Sequence, residues 1–524
     1  MGKVKVTSIL RRMFSIIMVS IFIIAMTPTD YIKAEEENPL GSKNNPYIVT
    51  NYSELRSGLN SKGYVKLDND IVFEEYIKLD VDSSYRGGID LNGHVLDFSG
   101  RYSSFSYAIR LETVSGDGLG KFEITDSNPD TTHGDAYVNS DNEALKGGII
   151  TGFYYNMNSM AGGVTSCIDA SNIDVTVDGI TFFKNSSGGG GTCICMGEDG
   201  TLKVNNCKFY DNKSNTWAPC IWYSYSGEEK DSKCFVTNCI FKGNNGRFSS
   251  ALTTAASYAL VENCLFEKNV SKSYGTLNVN YYGTLEVKDS VITGNKCESD
   301  ELENTSTGGI CIDVCGKLVL NGKVNVTGNT YNGEENNVIF QLTGIVLYPI
   351  SLGDEFDAGS KVGLKVKNTA DYDFKVIDNI GSYEDCFVCD HEDGELFVYN
   401  GMLYFKKKHV HTKGSYYERR EPKCTVAGEV EHYICPGCSV ALDSEGNVIE
   451  NIIIPALGHD FSDNAKICKR DGCNVENPDF VAPSVSPERA PQTGDNNSWM
   501  LYAFIMILSL SACIMLERCK RREE

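Results

Sequence analysis

The chain has 524 residues, 41% of them hydrophobic, with 50 Gly, 13 Pro and 28 Tyr. This is ordinary globular composition, which excludes whole-chain disorder and collagen-like structure. A balance of 48 basic against 70 acidic residues gives a net charge of −22, which argues against a nucleic-acid binder.

Residues 1–34 read as a secretory signal peptide. Lys3, Lys5, Arg11 and Arg12 precede an apolar run over residues 13–26, and Ala34 supplies a small residue for cleavage. The run is too short for a comfortable membrane span. Further on, Asn51 with Glu54 three residues later predicts a capped helix at the start of the folded region.

The middle of the chain repeats. Segments 177–185, 204–212, 236–244, 261–269 and 287–295 align without gaps and begin at intervals of 27, 32, 25 and 26 residues, a period typical of a solenoid. Period-two alternation makes each a pair of short strands. Val175, Leu202, Cys234, Ala259 and Leu285 face inward in the first strand. Ile180, Cys207, Cys239, Cys264 and Ser290, then Phe182, Phe209, Phe241, Phe266 and Ile292, face inward in the second. Between the strands stand Gly179, Asn206, Asn238, Asn263 and Asp289, residue types that tolerate a left-handed backbone and hence a bend. A third short strand follows the closing Asn, as at 193–196 and 277–279.

Three strands and three bends per turn resemble the right-handed parallel β-helix of pectate-lyase-like proteins. Residues 63–67, 90–94, 147–152 and 337–340 look like further coils, so the resemblance covers about 47–406. It implies an all-β fold with like residues stacked about 4.8 Å apart, and two columns of Asn forming amide ladders. The fold hosts many functions and does not choose among them.

Of 20 Cys, thirteen fall between Cys167 and Cys389 and five between Cys424 and Cys473. Export makes disulfides the default, yet Cys207, Cys239 and Cys264 share a column with Ile180 and Ser290 and read as buried free thiols. Residues 407–475 then bring His409, His411, His432 and His459 among five Cys. The order resembles a Cys/His module found near the C-termini of Gram-positive surface proteins. His411, Cys424, Cys435 and Cys438 make a tetrahedral set for structural zinc. A four-Cys ribbon of Cys435, Cys438, Cys468 and Cys473, or plain disulfides, are the alternatives.

Residues 476–489 read as an extended spacer. The segment 490–524 opens with Ala490-Pro491-Gln492-Thr493-Gly494. An apolar transmembrane run follows over 499–516, then a basic tail with Arg518, Lys520, Arg521 and Arg522. This order resembles the Gram-positive cell-wall sorting signal, usually Leu-Pro-x-Thr-Gly, with Ala490 in place of the Leu. The resemblance implies that a sortase cuts between Thr493 and Gly494 and joins the chain to peptidoglycan, leaving it secreted and wall-anchored.

Catalytic signals along the coils are sparse. Glu198 with Asp199 and Glu228, Glu229 with Asp231 sit at corresponding bends and offer a calcium cup or plain solvated turns. Arg247 is the one place for a lyase base, with Asp211 or Glu229 as partners. Trp222, Tyr223, Tyr281 and Tyr282 lie on or near third strands, where outward rings would stack on sugars. The expected function is an adhesin-like binding face for glycans or glycoproteins. A polysaccharide lyase or glycosidase is the alternative, and a structural wall protein the weaker one.

Overall fold

The computed structural model describes residues 38–100, 106–113, 119–155, 165–224, 233–299, 306–340, 348–366 and 373–483. They divide into a larger unit ending at Lys408 and a smaller one beginning at His409. The leader, the sorting pentapeptide with Thr493 and Gly494, the apolar run 499–516 and the acidic candidates Glu228, Glu229 and Asp231 lie outside the described residues. Among the described residues no helix is long and apolar enough to cross a membrane.

The larger unit is a stack of coils whose strands pair in parallel, the arrangement of a parallel β-helix. One coil runs through Thr201–Asn205, Lys208–Tyr210, Lys213–Ser214 and Ile221–Ser224. First strands of successive coils form an 11-stranded sheet, and the two-residue strands form an 8-stranded sheet. The second and fourth strands form two ladders that merge into one 20-stranded sheet, because Lys361–Val366 pairs with both Asn325–Thr327 and Val338–Phe340. Each repeat thus has four strands rather than three; the extra one is too short for alternation to reveal.

The predicted register is the observed one. Val177, Val204, Val236, Val261 and Val287 pair in sequence, and Leu320 continues the row as a sixth copy. That copy escapes a gapless comparison because its bend is one residue longer: Val291 pairs with Asn325 although Val287 pairs with Leu320.

The bends follow the backbone expectation at Gly179, Asn206, Asn238, Asn263 and Asp289, with φ of 77, 52, 55, 52 and 46°. The second bend puts the residue before the closing Asn in the left-handed region, at Lys184, Asp211, Gly243, Lys268 and Gly294. Lys184 and Lys268 carry no residue-type signal for that conformation.

Only one Asn column is a continuous ladder. Asn185, Asn212, Asn244, Asn269, Asn295 and Asn329 are all fully buried. Each donates from its backbone and its amide to the next side-chain oxygen, as Asn212 does to Asn244 at 3.0 Å twice. The ladder ends on Asn337, whose backbone N–H and Nδ2 reach Asp390 Oδ2 at 2.7 and 3.0 Å. In the other column Asn206, Asn238 and Asn263 are exposed, and Asn206 and Asn238 bond to Asp178 and Asn205 of the previous coil.

Phe182, Phe209, Phe241 and Phe266 stack with centroids 5.0, 4.6 and 4.5 Å apart and rings nearly parallel. Beside them Cys207 and Cys239 donate backbone N–H to the sulfur of the next Cys at 3.4 Å, and Cys264 donates to Ser290 Oγ at 3.0 Å. Every described Cys is a free thiol.

The helix Tyr52–Asn60 packs on the first strands, burying Tyr52, Leu55 and Leu59. Asn51 Oδ1 accepts the Glu54 N–H at 3.0 Å and so caps it. At the far end an antiparallel sheet of Phe374–Ile377, Met402–Lys407 and Gly394–Tyr399 follows the last coils.

Candidate ligand face and metal centres

The aromatic residues sort by strand parity. In Ile221–Ser224, Ile221 and Tyr223 point into the core while Trp222 points out. Tyr223 is 1% exposed and donates its hydroxyl to the Gly200 carbonyl at 2.7 Å. It therefore has no face to offer a sugar, contrary to expectation. Tyr281 and Tyr282 are 58% and 62% exposed, at a bend where both backbones are left-handed.

The main cluster was not legible in the strands because it sits on the bends. Trp217, Phe248 and Tyr274 occupy three successive coils, each two or three residues past a two-residue strand. The Trp217 ring lies 6.5 Å from Trp222, 4.8 Å from Phe248 and 5.9 Å from Tyr274, nearly parallel to Trp222 and Tyr274. All four rings are partly exposed. Gly190 lets them approach, since a Cβ there would lie 2.9 Å from Trp217 and 3.0 Å from Trp222. Burial pushes the Tyr274 hydroxyl up to about 12, and nearby Asp313, Cys311 and Tyr281 add to it.

Outward positions beside Trp222 are small and polar. Thr253 pairs with Trp222 and Asn278 with Thr253; both are buried. Asn278 Nδ2 has no hydrogen-bond partner, so a buried donor is left over where every pair normally closes.

Among the described residues, Arg247 and Asp211 do not come together. The Arg247 guanidinium lies 5.5 Å from the Phe248 ring. Asp211 stands before its two-residue strand and Arg247 after the next one, so they occupy opposite ends of adjacent coils' third strands. Asp211 accepts the Ser140 N–H at 3.1 Å and lines a pocket of about 460 Å³ with Lys184 and Lys213. Glu198 accepts from Asn172 Nδ2 at 2.6 Å, the bond of a tied-down turn.

In the smaller unit all five described Cys and three of the four His gather into two groups, each with its potential ligand atoms within 4.8 Å of one another. The first holds His409, His411, Cys435 and Cys438; the second holds Cys424, His459, Cys468 and Cys473. The expected set thus keeps His411, Cys435 and Cys438, gains His409, and loses Cys424 to the other group. The four-Cys ribbon is not assembled, because its two Cys pairs fall in separate groups.

Local structure explains both. In the first, Cys435 and Cys438 flank Pro436-Gly437 in a turn closed by Ser439 N–H to the Cys435 carbonyl at 2.8 Å. His409 Nε2 approaches Cys435 Sγ to 3.0 Å, and His411 Nδ1 approaches Cys438 Sγ to 3.4 Å. A Cβ on Gly437 would strike the His409 ring at 2.4 Å. In the second, Gly458 N–H donates to the Cys424 carbonyl at 2.9 Å and sets His459 beside that segment. Cys473 Sγ lies 3.3 Å from His459 Nδ1, and Cys424 Sγ 3.7 Å from Cys468 Sγ.

The thiols are electrostatically biased. His409 beside Cys435 holds its thiol down at about 5, with burial opposing. Burial raises Cys468, yet backbone N–H groups of Arg470 and Asp460 with His459 and Cys473 bring it to about 6. Burial and the neighbouring thiols push Cys424 up to about 11. These Cys/His groups have the ligand chemistry to bind a metal.

No protein-family model, curated protein or solved structure matches the chain.

Proposed function

We propose that the protein is an exported, wall-anchored surface protein whose β-helix, wound in the right-handed sense, presents a binding face for glycans or glycoproteins. Residues 1–34 direct export, and sortase joins Thr493 to peptidoglycan. A structural zinc in the group of His409, His411, Cys435 and Cys438 braces the unit nearest the wall. The observation that carries the reading is the cluster of Trp217, Trp222, Phe248 and Tyr274, with Tyr281 exposed beside it. Partly exposed aromatic rings offer stacking surface to sugar rings.

The test is glycan-array binding by residues 35–493. Trp217→Ala and Trp222→Ala should each weaken binding about tenfold or more, with an unchanged melting temperature. Absence of binding to any glycan, or binding unaltered in the double variant, removes the reading.

A lyase is the second reading, and the place of Arg247 at the edge of the cluster favours it. Time-dependent appearance of an unsaturated product, abolished in Arg247→Ala, would establish it instead.

A further inference from the structure

We infer that the smaller unit holds a second metal ion, bound by Cys424, His459, Cys468 and Cys473, so that it is a two-ion unit. The inference is independent of the glycan reading.

Four ligands at zinc distances of about 2.0–2.3 Å and tetrahedral angles stand about 3.3–3.8 Å from one another. The separations of 3.3 Å for Cys473 with His459 and 3.7 Å for Cys424 with Cys468 fall on those edges. The set is three sulfurs and one imidazole, a common structural zinc combination.

Disulfides account for the group poorly. Three thiols are an odd number, so pairing always leaves one over, and no disulfide gives the His459 ring a reason to turn its Nδ1 to a sulfur. A metal uses all four. The group also has the outer support such sites carry, since the Asp460 N–H donates to Cys468 Sγ at 3.3 Å.

The order of ligands makes the two metal-closed chain loops overlap in sequence. Cys424 of the second group lies in sequence between His411 and Cys435 of the first, so each ion closes a chain loop that passes through the other's. Apart from short two- and three-residue strands and a single 3-10 turn, the described part of this unit lacks regular structure. Its ordering therefore leans on loop closure by metal.

Zinc content is measured on residues 35–493 purified without chelator, by elemental analysis and native mass. The expected result is two ions per chain, falling to one in the variant Cys468→Ser with Cys473→Ser. Cobalt reconstitution of the unaltered protein gives a readout that needs no variant: thiolate charge-transfer absorption should correspond to five thiolates per chain, two from one site and three from the other. One ion that the double variant retains overturns the second site. So does an ion-free chain, whether its thiols are paired or free. A single ion that the variant loses keeps the second site and removes the zinc proposed for the first.

Discussion

Asn244 Oδ1 accepts two hydrogen bonds from Asn212, one from the backbone N–H and one from Nδ2, both at 3.0 Å. Asn244 Nδ2 in turn donates to the Phe209 carbonyl at 2.8 Å and to Asn269 Oδ1 at 2.9 Å. One side chain thus satisfies two backbone groups of the preceding coil, and bonds the side chain of the next, inside a fully buried bend.

Asn244→Ala should therefore leave the Asn212 backbone N–H and one Asn212 Nδ2 hydrogen without an acceptor in the interior, and take one donor from the Phe209 carbonyl. A cost of about 1–3 kcal/mol for each such group makes it strongly destabilising in urea. Asn238→Gly in the exposed column keeps the left-handed bend available and should stay within about 0.5 kcal/mol. Equal losses for both would show that the buried ladder has no special weight.

The ladder's last acceptor is a carboxylate. Burial raises the pKa of Asp390, while the two Asn337 donors oppose that rise. The folded protein therefore holds this proton more tightly than the unfolded chain, and the group's stabilising contribution is present at low pH and lost as pH rises through its folded pKa. Asp390→Asn should flatten that part of the stability profile between acid and neutral pH, measured by urea midpoints. A profile unchanged by the substitution would discount the proton at Asp390.

Within the aromatic stack, Phe209 touches a ring above and a ring below. Phe209→Ala should cost about 3–5 kcal/mol in chemical denaturation, and Phe209→Leu distinctly less. A small loss for Ala would mean that the neighbouring coils collapse into the space.

The Cys column tests the thiol state. Ser290 Oγ accepts the Cys264 N–H and donates to the Lys288 carbonyl at 2.7 Å, and Cys239 Sγ makes the matching pair of bonds. Cys239→Ser should be tolerated better than Cys239→Ala, which removes the acceptor. Alkylation of the unfolded β-helix without reductant should block all thirteen of its thiols. Resistance to alkylation would mean disulfides.

Much of the β-helix was legible because its determinants are local. Alternation over five residues and an Asn or Gly at a fixed bend need no knowledge of distant chain, and stacking multiplies one local pattern into a register. The sixth copy was missed through a single residue inserted in its bend. The two-residue strands were missed because alternation needs more length than they have.

The functional face and the metal groups depended on the tertiary structure. The run Ile221-Trp222-Tyr223-Ser224 admits either parity, and its pairing with Ile194-Cys195-Met196-Gly197 puts Tyr223 inside and Trp222 outside. Trp217, Phe248 and Tyr274 are separated by about a coil of sequence and meet only because the coils stack. Cys424 lies nearer in sequence to Cys435 than to His459, yet the backbone bond from Gly458 to its carbonyl ties it to the second group. Sequence by itself determined the coil, since strand alternation and left-handed bends are short-range steric preferences. Which side chains converge was decided by loop closure, a long-range property that spacing along the chain does not record.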